Sequence, residues 1–150
     1  MAKKTNRKPS RMPQYMILGG IILIALVMIA FKDRNQTENT PQPGIPAATQ
    51  LETALKDGKP TLAFFHSNTC EQCIIMVEMV NQVYPEFSSQ VVLVDIDVYD
   101  PNNEELLNQV RLQYIPTLVF FDRDGNNKPF VGVMQPEELK QQFIAISGAP

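Results

Sequence analysis

The two cysteines of this 150-residue chain, Cys70 and Cys73, stand three positions apart in the stretch HSNTCEQCIIM, which also holds its one histidine, His66. These residue types at this spacing admit three chemistries: a dithiol that opens and closes a disulfide, part of a metal site, or a structural bridge. A structural bridge across so short a loop constrains the unfolded chain little. A metal site would use His66, Cys70 and Cys73 in an H-x3-C-x2-C pattern. Tetrahedral zinc asks for a fourth ligand, so that set would need a second chain or a soft ion such as Cu(I). The redox reading needs no metal and no cofactor. In it Cys70 attacks a substrate disulfide and Cys73 resolves the mixed disulfide.

The elements around the pair must place it. Thr61 to His66 (TLAFFH) is a short apolar run of strand type, and Ile74, Val77, Val80 and Tyr84 recur at helical steps within Cys73 to Phe87. Cys70 thus falls where a buried strand gives way to a helix, and backbone N–H groups at a helix start favour a thiolate there. Glu71 works against that anion by its like charge. His66 is either a packing residue with its ring satisfied by backbone, or a group that stabilises the Cys70 thiolate or shuttles its proton.

The rest of the pattern runs α-β-α-β-α-β-β-α. A first helix spans Thr49 to Lys56. Val91 to Ile96 is a second strand, and a helix follows Pro101 with Leu106, Leu107 and Val110 on its apolar face. Thr117 to Phe121 is a third strand, Asp122 to Asn126 a hairpin turn, and Phe130 to Val133 a fourth strand. Pro136, with Glu137 and Glu138 behind it, opens a last helix through Ile146. Alternating strands and helices predict an α/β fold: a central mixed sheet, parallel in part, with helices on both faces and an antiparallel closing hairpin. Asp95, Asp97 and Asp100 read as solvated strand-end carboxylates. Asp122, Asp124 and Asn126 resemble part of a calcium loop, but a hairpin turn explains them better.

At these residues the chain resembles the thioredoxin family. The strand TLAFFH leads into C-x-x-C at a helix start, and Tyr114-Ile115-Pro116-Thr117-Leu118-Val119-Phe120-Phe121 looks like the family's hydrophobic-Pro-Thr segment. Asp124-Gly125 and Val131-Gly132-Val133 match its hairpin and later-strand glycines. The resemblance covers about residues 48–150 and implies a thioredoxin fold with thiol–disulfide exchange on protein substrates. It further implies a cis bond before Pro116, with Ile115, Pro116 and Thr117 forming the substrate groove. The chain departs from the family where it has no Trp, with His66 at the position that often holds one. Phe64 replaces the buried acid that takes the proton of the resolving thiol, and Leu93 replaces the lysine that accompanies it. Either direction of exchange, oxidation or reduction, fits these residues.

The first part of the chain has a different character. Residues 12–31 carry no charge, and Tyr15 to Phe31 is almost wholly aliphatic. A run of about 20 apolar residues spans a bilayer as a helix, so residues 15–31 predict a transmembrane anchor in contact with lipid. No small-residue cleavage site follows it, which argues against a removed signal peptide. Residues 1–14 hold Lys3, Lys4, Arg7, Lys8 and Arg11 without an acid. Positive charge stays cytoplasmic, which sets the N-terminus inside and the remainder outside the cell membrane. Residues 32–47, rich in Pro, Asn, Gln and Thr, form a tether. From Ala48 onward 14 acids face 6 bases, a balance that excludes a nucleic-acid surface. The expectation is a single-pass, extracytoplasmic oxidoreductase, supplied with electrons by a membrane partner if it reduces. The alternative is a non-catalytic or metal-handling (Cu or Zn) module of a membrane complex.

Overall fold

The computed structural model describes residues 44–148. The basic segment, the expected anchor and most of the tether lie outside these residues. Among the described residues, no helix is long and apolar enough to cross a membrane.

Four strands make one mixed sheet in the order β2-β1-β3-β4, with β1 Thr61–His66, β2 Val92–Asp97, β3 Thr117–Phe121 and β4 Asn127–Val131. β1 pairs parallel with β2 and antiparallel with β3, and β3 pairs antiparallel with β4. The helices are α1 Ala47–Lys56, α2 Glu71–Val83, α3 Glu104–Val110 and α4 Pro136–Ser147. All six residues of β1 are buried. A central strand covered on both sides has no reason to alternate polar and apolar positions.

Its two faces supply two cores. Leu62 and Phe64 look toward Met76 and Val80 of α2 and Leu139 and Phe143 of α4. Ala63 and Phe65 look toward Leu51 of α1 and Leu106 of α3. The expected layering, helices on both faces of a part-parallel sheet, is what the chain adopts.

Element ends differ from the sequence expectations for local reasons. Helix α1 starts earlier, because the Pro46 carbonyl accepts the Gln50 N–H at 3.0 Å and caps the first turn. Helix α2 ends at Val83 and passes into a 3-10 turn over Tyr84–Glu86. Pro85 has no N–H to continue the α-helical ladder. The segment after Asp100 opens as a 3-10 turn, Pro101–Asn103, and becomes α-helical only at Glu104. β4 begins at Asn127, ahead of the expected Phe130, because the hairpin closes tightly. The Asp122 carboxylate accepts the backbone N–H groups of Asp124 and Asn126, each at 2.9 Å. These bonds hold the Asp122 carboxyl below its usual range, the Asn126 side chain contributing most. The turn itself therefore uses this carboxylate. Gly132, at φ 104°, then takes the chain out of the sheet.

Phe143 is the central large side chain of the α2/α4 face. It is fully buried, with ring centroids 5.1 Å from Phe87 and 6.1 Å from both Tyr84 and Phe120. Phe143→Ala should cost about 3–5 kcal/mol, read as a lowered midpoint in urea unfolding. A loss under about 1 kcal/mol would show that this face is not the main core.

Candidate active site

β1 ends at His66, and only Ser67, Asn68 and Thr69 separate it from Cys70. This loop is tied by its own polar groups. The Thr69 N–H donates to Ser67 Oγ at 3.2 Å, and the two hydroxyls lie 3.0 Å apart. Cys70 is the N-cap of α2, with extended backbone at φ −97° and ψ 118°. Its Sγ accepts the backbone N–H of Cys73 at 3.3 Å. Ser or Asp commonly fills this capping role with oxygen; here sulfur does so, and the first turn of a helix addresses that sulfur.

The two thiols are unequal. Cys70 is half-buried, Cys73 has no exposed surface, and both are free thiols in this structure. Burial pushes the Cys73 thiol up to about 11, helped by its hydrogen bond with Cys70 and opposed by a backbone bond from Ser67. Glu71 is exposed in the first turn of α2, beside the dithiol and in contact with solvent.

His66 is 5% exposed. Its ring stacks on Phe64, centroids 4.6 Å apart. Its Nε2 lies 2.7 Å from Oδ1 of Asp95, a carboxylate on the neighbouring strand. Because a carboxylate only accepts, Nε2 carries the hydrogen. Nδ1 is buried with no hydrogen-bond partner. The ring is thus held by a side chain and by stacking, where a packing histidine was expected to use backbone. Asp95 was missed as a site residue. The two-residue alternation of β2 was legible, but the parallel register that sets Asp95 beside Phe64 was not.

The peptide bond between Ile115 and Pro116 is cis, as the resemblance implies. Phe65 pairs with Thr117 across β1 and β3, so one step further Pro116 stands level with His66. The proline and the dithiol loop therefore share one end of the sheet. The Pro116 carbonyl accepts the Gly132 N–H at 2.9 Å, and Thr117 Oγ1 donates to the Tyr114 carbonyl at 2.6 Å. Ile115 is half-buried and Pro116 and Thr117 are buried, while Tyr114 keeps 65% of its surface exposed. A groove of about 550 Å³ opens beside them, lined by Tyr114, Thr117, Val119 and Val131 among others. Ile74 and Ile75 add exposed apolar surface next to the dithiol.

Among the described residues, no three His, Cys, Asp or Glu side chains converge to hold a metal ion. The His66, Cys70 and Cys73 of the H-x3-C-x2-C pattern are thus not gathered as a metal site.

The inequality of the thiols has a kinetic signature. In Cys70→Ser protein, iodoacetamide capture of Cys73 should rise about tenfold per pH unit and level above the ordinary thiol value, because burial, the largest cause of the raised value, remains when Cys70 is gone. Levelling near the ordinary thiol value would show that Cys73 is not buried in solution.

Three kinds of similarity agree with this geometry. The family described as thioredoxin-like domain matches residues 47–146. The chain is 30% identical over 105 residues to thioredoxin-like protein HCF164, chloroplastic, of Oryza sativa subsp. japonica, covering 69% of this chain and 40% of that protein. It is 31% identical over 85 residues to a thioredoxin-like protein of Synechocystis, covering 57% of this chain and 79% of that one. The chain thus spans well under half the length of the rice relative and most of the cyanobacterial one. Among solved structures, chloroplastic thioredoxin z superposes with a TM-score of 0.59 at 25% identity, over 67% of this chain and 90% of that one. Thioredoxin from Trypanosoma brucei brucei gives a TM-score of 0.56 at 22% identity, over 68% of this chain and 87% of that one, a likeness of fold. With its dithiol capping α2 and a cis-proline at the same end of the sheet, the chain belongs to the thioredoxin-like domain family.

Proposed function

We propose that this protein is a membrane-anchored, extracytoplasmic thiol–disulfide oxidoreductase acting on protein thiols and disulfides. The observation that carries the reading is the cap itself, the Cys73 N–H directed at Cys70 Sγ with the second thiol buried behind it. Cys70 attacks one sulfur of a substrate disulfide; a new Cys70–substrate disulfide forms and the other substrate sulfur leaves as a thiolate. Cys73 then attacks Cys70 Sγ, closes the Cys70–Cys73 disulfide and releases the second substrate thiol. Two electrons pass to the substrate, and the reverse sequence oxidises a dithiol. Ile115, Pro116 and Thr117, with exposed Tyr114 nearby, form the edge along which an extended substrate segment lies. Neither a metal nor an organic cofactor enters these steps.

Residues 15–31 anchor the chain in lipid, and the basic residues 1–14 keep its N-terminus in the cytoplasm. An exported reductant needs electrons from across the membrane, so a membrane electron-transfer partner belongs to the reducing version of this function.

Full-length protein in detergent should catalyse dithiothreitol-driven reduction of insulin, and Cys70→Ser should abolish it. Cys73→Ser should accumulate mixed disulfides through Cys70, seen as mass shifts that a reductant removes. Wild-type protein with no activity above the Cys70→Ser background would defeat the enzyme reading and favour a non-catalytic module. Stoichiometric Cu(I) or Zn(II) binding lost in Cys70→Ser would favour metal handling.

Orientation has its own test. A membrane-impermeant maleimide should label Cys70 of the Cys73→Ser protein in intact spheroplasts; labelling only after lysis would place the domain in the cytoplasm.

A further inference from the structure

Resolution of the mixed disulfide poses a proton problem. Cys73 must lose a proton before it attacks, yet its burial holds it as a thiol, pushed up to about 11. At Phe64, where an acid would take that proton, the chain has a fully buried hydrocarbon ring. The nearest replacement lies two residues further along the same strand. We propose that His66, held by Asp95, is the proton acceptor for the Cys73 thiol; this assignment rests on the oxidoreductase reading above.

Placement supports it. Leu62, Phe64 and His66 alternate onto one face of β1, and Leu62 and Phe64 pack in the cluster that holds Met76 and Val80 of α2. His66 therefore ends the strand on the face that α2 covers, and Cys73 lies in the first turn of that helix. Ser67, the residue after His66, hydrogen-bonds Cys73 through its backbone, so the resolving thiol contacts the chain neighbour of the histidine.

The state of the ring supports it further. With Nε2–H donated to Asp95 at 2.7 Å, the neutral imidazole keeps its lone pair on Nδ1. That atom is buried and unpartnered, in a region where buried polar atoms are almost always satisfied. An unpaired basic nitrogen on the face of β1 that α2 covers is a base without its proton. When Nδ1 takes the proton, the Asp95 carboxylate faces the resulting imidazolium and offsets its burial. The titratable groups on the elements flanking His66 are Asp95 and Asp97 on β2 and Cys70, Glu71 and Cys73 at the start of α2, and β3 contributes none. Asp97 is engaged elsewhere, accepting the Tyr99 N–H at 2.9 Å.

The step balances. The Cys73 S–H bond breaks, the proton passes to His66 Nδ1, and the Cys73 thiolate attacks Cys70 Sγ. The Cys70–Cys73 bond forms as the Cys70–substrate bond breaks, and the departing substrate thiolate takes up a proton.

Ellman's reagent separates the two attacks, since reduced protein releases one thionitrobenzoate when Cys70 attacks and a second when Cys73 resolves. In full-length His66→Phe, which keeps a flat ring over Phe64, the second release should slow relative to the first by about 100-fold or more at neutral pH. His66→Gln should behave alike, and Asp95→Asn should slow the same release less. The deficit should close as pH approaches about 11, where Cys73 ionises unaided. An unchanged ratio of the two releases in both His66 variants, or a deficit constant at every pH, would overturn the relay while leaving thiol exchange intact. Wild-type protein giving only the first release would instead overturn the oxidoreductase reading on which the relay rests.

Discussion

Strand β1 has no solvent-facing side, and the position of every group at the redox end follows from that. A strand buried on both faces between α1 with α3 and α2 with α4 has no freedom to slide, because a shift of one residue would exchange Phe64 and Phe65 between two packed cores. Its last residue, His66, is thereby fixed in depth and direction. The three-residue loop that follows is short and internally hydrogen-bonded, so the start of α2, and with it Cys70, is fixed in turn. The core thus acts on the dithiol through geometry: hydrophobic burial of Leu62 to Phe65 sets where a sulfur meets a helix N-terminus.

Burial sets the two sulfurs apart. Cys70 caps the helix half-exposed. Cys73 lies one turn in, where desolvation keeps it protonated until a base is at hand. An acid buried at the position of Phe64 would supply that base from within the core. This chain has instead packed an aromatic ring there and moved the polar function outward, to His66 on the strand's last position and Asp95 on the edge strand β2. The exchange is physically consistent. A carboxylate buried without a lysine partner is costly, and no Lys or Arg occurs between Lys59 and Arg111. A histidine at the strand end, paired with a half-exposed carboxylate, carries less of that cost.

Much of the fold was legible in the residues. The run TLAFFH, the three- and four-residue steps of Ile74, Val77 and Val80, and the turn DRDGN each state a local structure, and the structure contains all of them. Boundaries were less legible where a backbone device intervened: Pro46 capping α1, Pro85 ending α2, and Asp122 tightening the hairpin so that β4 starts at Asn127. Those shifts depend on which backbone groups find partners, and apolar periodicity does not report it.

The candidate site shows the same division more sharply. Cys70, Cys73 and His66 could be named from residue type and spacing, because strand-to-helix junctions and dithiol spacing are local properties, and Pro116 from the family resemblance. Asp95 could not, since it lies 29 residues from His66 and reads alone as one more solvated carboxylate. By itself the sequence determined the order of elements, the spacing of the thiols and the charge split between a basic start and an acidic remainder. The tertiary structure alone decided the register in which β2 lies along β1 and brings Asp95 to the histidine, and that Cys73 is buried while Cys70 is only partly so. Register and burial arise from packing between segments distant in the chain, and no stretch of residues carries them separately.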